Sequence, residues 1–178
     1  DNFKKLTGRD GLDKVITAIR KARELGFKPV KVNAVIIRDL NDHEIESLVE
    51  FAREESLSLR FIEFMDVGTT NGWCLDDVVP AAEILKTIDA ELPLEPMESN
   101  YPGEVAKRWR YKDGSGEIGA IASVTQPFCG TCSRARLSAD GILYTCLFAS
   151  AGHNLTGLLR CGSSDEELSS ILTSLWEG

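Results

Sequence analysis

At 178 residues, 43% hydrophobic and 27% charged, the chain has the composition of a soluble globular protein, with material for one compact domain or two small ones. A formal net charge of −8 excludes the broad basic face that a nucleic-acid polyanion requires, so no nucleic-acid partner is expected; an anionic small molecule needs only a few local cations. The longest apolar candidate, residues 30–37, is broken by Lys31 and Asn33, and the first ten residues lack the apolar core of a signal peptide. No membrane partner and a cytoplasmic location are therefore expected.

Residues 10–25 predict an amphipathic helix, with Leu12, Val15, Ile16, Ile19 and Ala22 at helical spacing and Gly26 as its C′ stop. A strand over 30–37 follows, rich in β-branched residues, with Lys31 and Asn33 on one face. Asn41 to Glu44 has capping-box spacing, with Asn41 as N-cap and His43 at the surface. The helix it opens would bury Ile45, Leu48, Val49 and Ala52. A second strand covers 59–64. Helix, strand, helix, strand within about 65 residues is how α/β units with a parallel sheet are spelled. No Gly-x-Gly-x-x-Gly or Walker pattern follows either strand, so a dinucleotide fold lacks support; segments of a (β/α) barrel fit, with function at the C-terminal ends of strands.

After Met65 the character changes. Residues 66–73 are turn-rich, Asp76 and Asp77 open a helical segment, and Pro80 starts a helix reaching about Ala90. Pro93, Pro96 and Pro102 punctuate a loop. Residues 104–111 and 117–124 are strand candidates joined by a hairpin turn at 112–116. A turn at Ala139-Asp-Gly141 and a helix over 165–175 complete the chain. The expected organisation is an α/β part over 1–66 followed by an antiparallel, loop-rich part over 67–178. Two strands are too few for a parallel sheet covered on both faces, so the chain is expected to be the C-terminal part of a longer protein.

Five cysteines without a secretory mark suit metal binding or catalysis better than a disulfide framework. Cys129, Cys132 and Cys146 have ligand spacing: a Cys-x-x-Cys pair and a third thiol after a hairpin-like segment. Three thiolates leave a tetrahedral site one ligand short. A structural zinc site completed by His153 and an iron–sulfur cluster with one open iron fit the spacing equally. A redox dithiol fits less well, since Arg-Ala-Arg-Leu after Cys132 alternates like a strand instead of opening a helix. Cys74 and Cys161 have no spacing partners and are expected to be packing residues. In an extended segment Arg134 and Arg136 share one side, where two guanidiniums suit a phosphorylated ligand; without the cysteines they would read as a solvated pair. Lys31 suits either an anionic ligand inside a barrel or solvent at a sheet edge. Met65, by itself, is core filler.

Residues 28–42 (KPVKVNAVIIRDLND), 59–68 (LRFIEFMDVG), 116–119 (GEIG) and 128–149 (FCGTCSRARLSADG…YTCLFA) together resemble one family, the GTP 3′,8-cyclases of molybdenum cofactor biosynthesis within the radical SAM enzymes. The resemblance implies the last units of a partial (β/α) barrel over 1–66 and an auxiliary-cluster, substrate-binding domain over 67–178. It implies a lyase in which one [4Fe-4S] cluster cleaves S-adenosylmethionine (SAM), and the resulting radical converts GTP to 3′,8-cyclo-7,8-dihydro-GTP. It also implies an auxiliary [4Fe-4S] cluster on Cys129, Cys132 and Cys146, which moves the cysteine site from zinc to iron–sulfur. Lys31, Arg134, Ala135 and Arg136 match GTP-contacting positions and Met65 a SAM-site position. GTP and SAM are the implied partners, and a homodimer is compatible with it. The sequence contains no Cys-x-x-x-Cys-x-x-Cys motif for the radical-generating cluster and stops short of the Gly-Gly tail typical of the family. The chain alone is therefore expected to be inactive in SAM cleavage and GTP cyclisation.

Overall fold

A computed structural model describes residues 2–67 and 72–177, so the part of the turn-rich stretch at 68–71 lies outside the described residues. The chain forms two compact units, one running through residue 66 and from 72 to 131, the other from 132 onward. Among the described residues no helix is long and apolar enough to cross a membrane.

The first unit is built from α1 (Asn2–Thr7), α2 (Leu12–Glu24), β1 (Lys31–Ile36), α3 (Ile45–Glu54), β2 (Ser58–Glu63), α4 (Ala81–Glu91), β3 (Leu94–Met97), β4 (Lys107–Tyr111) and β5 (Glu117–Ile121). Its sheet has the order β1-β2-β5-β4-β3. β1, β2 and β5 are parallel, in the registers Lys31↔Ser58 and Leu59↔Ile118; β5, β4 and β3 are antiparallel. The architecture is thus α/β with a mixed sheet. The two strand candidates after residue 100 join the sheet of the α/β part, because β5 offers Ile118 and Ala120 to an apolar partner and finds it in β2. Pro96, expected in a loop, sits in β3 at the sheet edge, where a missing N–H costs no ladder bond.

The core follows the helical period. α3 contributes Ile45, Val49 and Ala52, and α4 contributes Ala81, Ile84 and Ile88. Most of these pack with Ile36, Leu59, Phe61, Ile118 and Tyr111. α2 lies within the expected 10–25, starting two residues later, and makes a thinner contact: Ile19 packs on the core while Leu12 and Val15 are exposed. Gly26 is its C′ residue at φ 86°, and Gly26 N–H donates to Arg23 and Phe27 N–H to Ala22, the paired bonds of a Schellman stop. α3 ends the same way through Ser56 and Leu57, and its Glu55 accepts from Arg20 and Arg23 of α2. Gly119 packs tightly, since a Cβ there would lie 3.2 Å from Cγ of Arg60 on the neighbouring strand and would need that side chain to shift.

The capping box expected at Asn41 does not form. The Asn41 side chain turns back to β1, accepting from Ile37 N–H at 2.8 Å and donating to Val35 C=O at 2.9 Å, while a short 3₁₀ turn over Asp42–Glu44 opens α3. An Asn within reach of a strand's last backbone groups satisfies both of them and is then not available as a side-chain cap. A reciprocal box occurs instead at Ser164 and Glu167.

The second unit comprises β6 (Arg136–Leu137), β7 (Ile142–Tyr144), β8 (His153–Asn154), α5 (Leu155–Arg160) and α6 (Asp165–Glu177), its three short strands antiparallel. The expected turn closes β6 on β7, with Gly141 at φ 81° and a Cβ there 1.7 Å from Oγ1 of Thr156. None of the described residues from 132 onward is buried.

Several carboxylates in the first unit are held below the usual carboxylate range, Glu117 and Glu63 among them. Burial opposes the charge of Glu117, but Arg108 and Ser58 donate to it and Lys31 adds attraction. Burial likewise opposes the charge of Glu63, and bonds from Thr125, Ala81 and Val124 outweigh it. A depressed carboxylate stabilises the fold above its unfolded value and loses that contribution as pH falls through its folded value. The melting temperature is therefore expected to be flat from neutrality to about pH 5 and to fall below it, with Glu117→Gln showing a shallower acid slope. Phe61→Ala should cost about 3–5 kcal/mol in urea unfolding, from a cavity beside α3 and α4.

Candidate functional site

The cysteine segment begins where β5 leaves the sheet. After Ile121 the chain turns, with Ser123 N–H donating to Ile121 and Gln126 N–H to Ala122, and a 3₁₀ turn over Cys129–Thr131 closes the first unit. Cys132 opens the second unit. Arg134 donates to its sulfur from Nε at 3.3 Å and Nη2 at 3.1 Å. The thiol of Cys132 is accordingly lowered: the Arg134 amide contributes most, then the Arg134 side chain, against weak burial, with the charges of Arg134 and Arg136 adding. Exposure alternates from Arg134 to Leu137, with the two arginines half-buried and Ala135 and Leu137 exposed, as an extended segment requires.

Arg136 pairs with Tyr144, so Cys132 and Arg134 before β6 and Cys146 after β7 stand at the same end of the ribbon, away from the Gly141 turn. The sulfur of Cys146 accepts from Phe148 N–H at 3.4 Å. All three cysteines are free thiols at exposed positions. Among the described residues no three His, Cys, Asp or Glu side chains are gathered closely enough to hold a metal ion. His153, the candidate fourth zinc ligand, is exposed in β8 opposite Leu143.

Lys31 opens β1 on the exposed face it shares with Asn33 and Val35, at the sheet's edge. Met65 lies two residues beyond β2, half-buried. With Lys31 in register with Ser58, the two stand at opposite ends of the parallel pair, roughly 23 Å apart along the strand. Cys74 and Cys161, expected as packing residues, are exposed instead; Cys74 precedes a 3₁₀ turn and Cys161 caps α5, neither on a core-facing position.

Glu63 was not singled out by its sequence, though an acid in the otherwise apolar end of 59–64 is a signal. Its side chain is buried, and it accepts from the backbone of Ala81, Val124 and Thr125. Trp73 is a second such residue, donating from Nε1 to Phe64 C=O at 2.9 Å just beyond β2.

Replacing the forked donor should be visible at the sulfur. In Arg134→Gln, alkylation of Cys132, followed by peptide mass mapping, is expected to shift to higher pH while the profile of Cys161 stays unchanged. An unshifted Cys132 profile would show that the guanidinium does not hold the thiolate.

Residues 57–178 match the Molybdenum Cofactor Synthesis C family, and residues 1–52 match the Radical SAM superfamily. Among curated proteins the chain is 49% identical to a GTP 3′,8-cyclase of Acidothermus cellulolyticus, over 98% of this chain and 49% of that protein. It is 48% identical to a GTP 3′,8-cyclase of Xanthomonas campestris pv. campestris, over 95% of this chain and 49% of the relative. A GTP 3′,8-cyclase of Staphylococcus carnosus is 44% identical over 92% of this chain and 48% of its own length. The chain spans about half the length of the curated relatives it matches. Because its larger match takes in residues 57–178, well over half of its length, this chain belongs to the Molybdenum Cofactor Synthesis C family.

Proposed function

We propose that this chain is the substrate-binding half of a radical SAM GTP 3′,8-cyclase, a cytoplasmic lyase of molybdenum cofactor biosynthesis, and that Cys129, Cys132 and Cys146 hold its auxiliary [4Fe-4S] cluster. The observation that carries this is the free, exposed thiol set, with Cys132 drawn toward the thiolate by Arg134. Thiolate is the form that ligates iron, so the donor chemistry fits the group. A second support is the absence of any buried residue among those described from 132 onward. So small and coreless a unit is the kind that a metal centre stabilises. When bound, a cluster held by three thiolates offers its fourth iron to a donor atom of a purine.

The chain's own residues then divide the work of binding. Arg134 and Arg136 share one side of the extended segment, with the Ala135 backbone between them; Arg136 presents its guanidinium to a triphosphate, and Arg134, whose Nε and Nη2 hold the Cys132 sulfur, adds its positive charge. Lys31 adds a point charge for the same nucleotide, and Met65 supports SAM beyond the C-terminal end of β2, where ligands of parallel α/β sheets gather. Restraining base and phosphates together orients the ribose before reaction.

Anaerobic incubation of the chain with iron and sulfide is expected to give a brown protein with broad visible absorption and about four irons per chain. Added GTP should change its electron paramagnetic resonance spectrum, and Arg136→Ala should weaken that response by roughly 10–100-fold in GTP concentration. Single Cys→Ala changes at 129, 132 or 146 should abolish loading, whereas Cys74→Ala and Cys161→Ala should not. A colourless protein that retains one zinc and loses it on His153→Ala would overturn the proposal.

A further inference from the structure

Glu63 is 1% exposed, yet among the described residues no lysine, arginine or histidine donates to it. Its Oε1 accepts from Ala81 N–H at 2.8 Å and from the Thr125 hydroxyl at 2.6 Å. Its Oε2 accepts from Val124 N–H and Thr125 N–H, each at 2.8 Å. Four donors converge on one carboxylate, which accounts for a buried ionised acid without a counter-ion. Ala81 is the first residue of α4, so the charge also sits at the positive end of an eleven-residue helix.

What these bonds hold is informative. The β2–β5 ladder ends at Ile62↔Ile121, and beyond it β5 no longer has a strand to follow. Glu63 is the next residue of β2, and it takes over by gripping Val124 and Thr125, three and four residues past the ladder's end. Thr125 in turn stands four residues before Cys129. A residue that served only to fill the core would be apolar, like Leu59 and Phe61 on the same face. A carboxylate here selects two successive backbone amides and a hydroxyl, and so fixes the direction in which the chain departs toward the cysteine.

We infer that Glu63 is a positioning residue: through Val124 and Thr125 it sets the departure of the segment that carries Cys129, and so the placement of that thiolate as a cluster ligand. The inference rests on the cluster reading above for its purpose, but not for its geometry. Glu63→Gln conserves volume yet turns an NH₂ toward N–H donors, so at least one of the four bonds is lost. Thr125→Val removes the hydroxyl bond alone and stands in if the glutamine variant fails to fold. Ile84→Val, on the core face of α4, is the control for general loss of stability.

The test compares these variants of the 178-residue chain after anaerobic reconstitution, reading iron retention under chelator challenge and the paramagnetic spectrum. Glu63→Gln is expected to release iron roughly 10-fold faster with an altered spectrum, Thr125→Val to shift in the same direction, and Ile84→Val to match the parent. In the metal-free chains, Glu63→Gln should also raise the alkylation rate of Cys129 while leaving that of Cys146 unchanged. Parent-like iron release, spectrum and Cys129 reactivity in Glu63→Gln and Thr125→Val would overturn the inference, as would equal losses in Ile84→Val. If the parent chain itself takes up no cluster, the proposed function fails, and the alkylation of Cys129 alone decides whether Glu63 positions it.

Discussion

The first unit depends on β2 being used on every side. Its two edges are taken by β1 and β5, and its Leu59–Phe61–Glu63 face is buried beneath helices. A central parallel strand must be apolar for most of its length, because burying a peptide ladder is tolerable only when every backbone group is paired and the side chains need no water. β2 meets that condition through Leu59, Phe61 and Ile62, with Ser58 and Arg60 paired to Glu117 and Glu104, up to its last residue. There an acid appears, and the position is affordable to the fold because the sheet, the start of α4 and the chain after β5 all end within reach of it. Parallel strands end in unpaired N–H groups and helices begin with them, so a buried carboxylate at this corner converts several unmet donors into a joint.

Much of the sheet was legible from local chemistry. Residues 30–37 and 59–64 carry the β-branched and aromatic density of strands, the stop at Gly26 is spelled by a residue that tolerates positive φ, and the 112–116 turn announces its hairpin. What could not be read was partnership at long range. Nothing near Ile118 specifies that it lies beside Leu59; that choice follows from which apolar strand has a free edge once α3 and α4 have packed. Asn41 failed as a cap for a related reason. Its side chain is as well matched to a strand's last amide and carbonyl as to a helix's first amide, and only tertiary placement decides between them.

The site divides in the same way. The Cys129, Cys132 and Cys146 spacing is legible because it is a covalent property of the chain, and the shared side of Arg134 and Arg136 because alternation is a property of extended backbone; a gathering of the three thiols is not found among the described residues. The exposure of Cys74 and Cys161 was not legible, since a lone cysteine has the same local signature in a core and at a surface. Glu63 was the more consequential omission. A single acid in an apolar strand is ordinary at a sheet edge, and it becomes significant only when the neighbouring strand proves to be on the other side of it.

The contrast between the two units bears on how the cysteine segment is controlled. Before Cys132 the chain issues from a sheet with a dense core and is gripped by a charged joint; after it, the strands are two or three residues long and no described residue is buried. Short antiparallel ribbons of this kind do not stabilise themselves. A ligand set with members on both stretches of sequence therefore has unequal partners. On the cluster reading proposed above, Cys129 follows a segment held through Val124 and Thr125, whereas Cys132 and Cys146 flank strands of two or three residues. Metal binding on that reading would add stability to a stretch, 132–177, that lacks a core of its own.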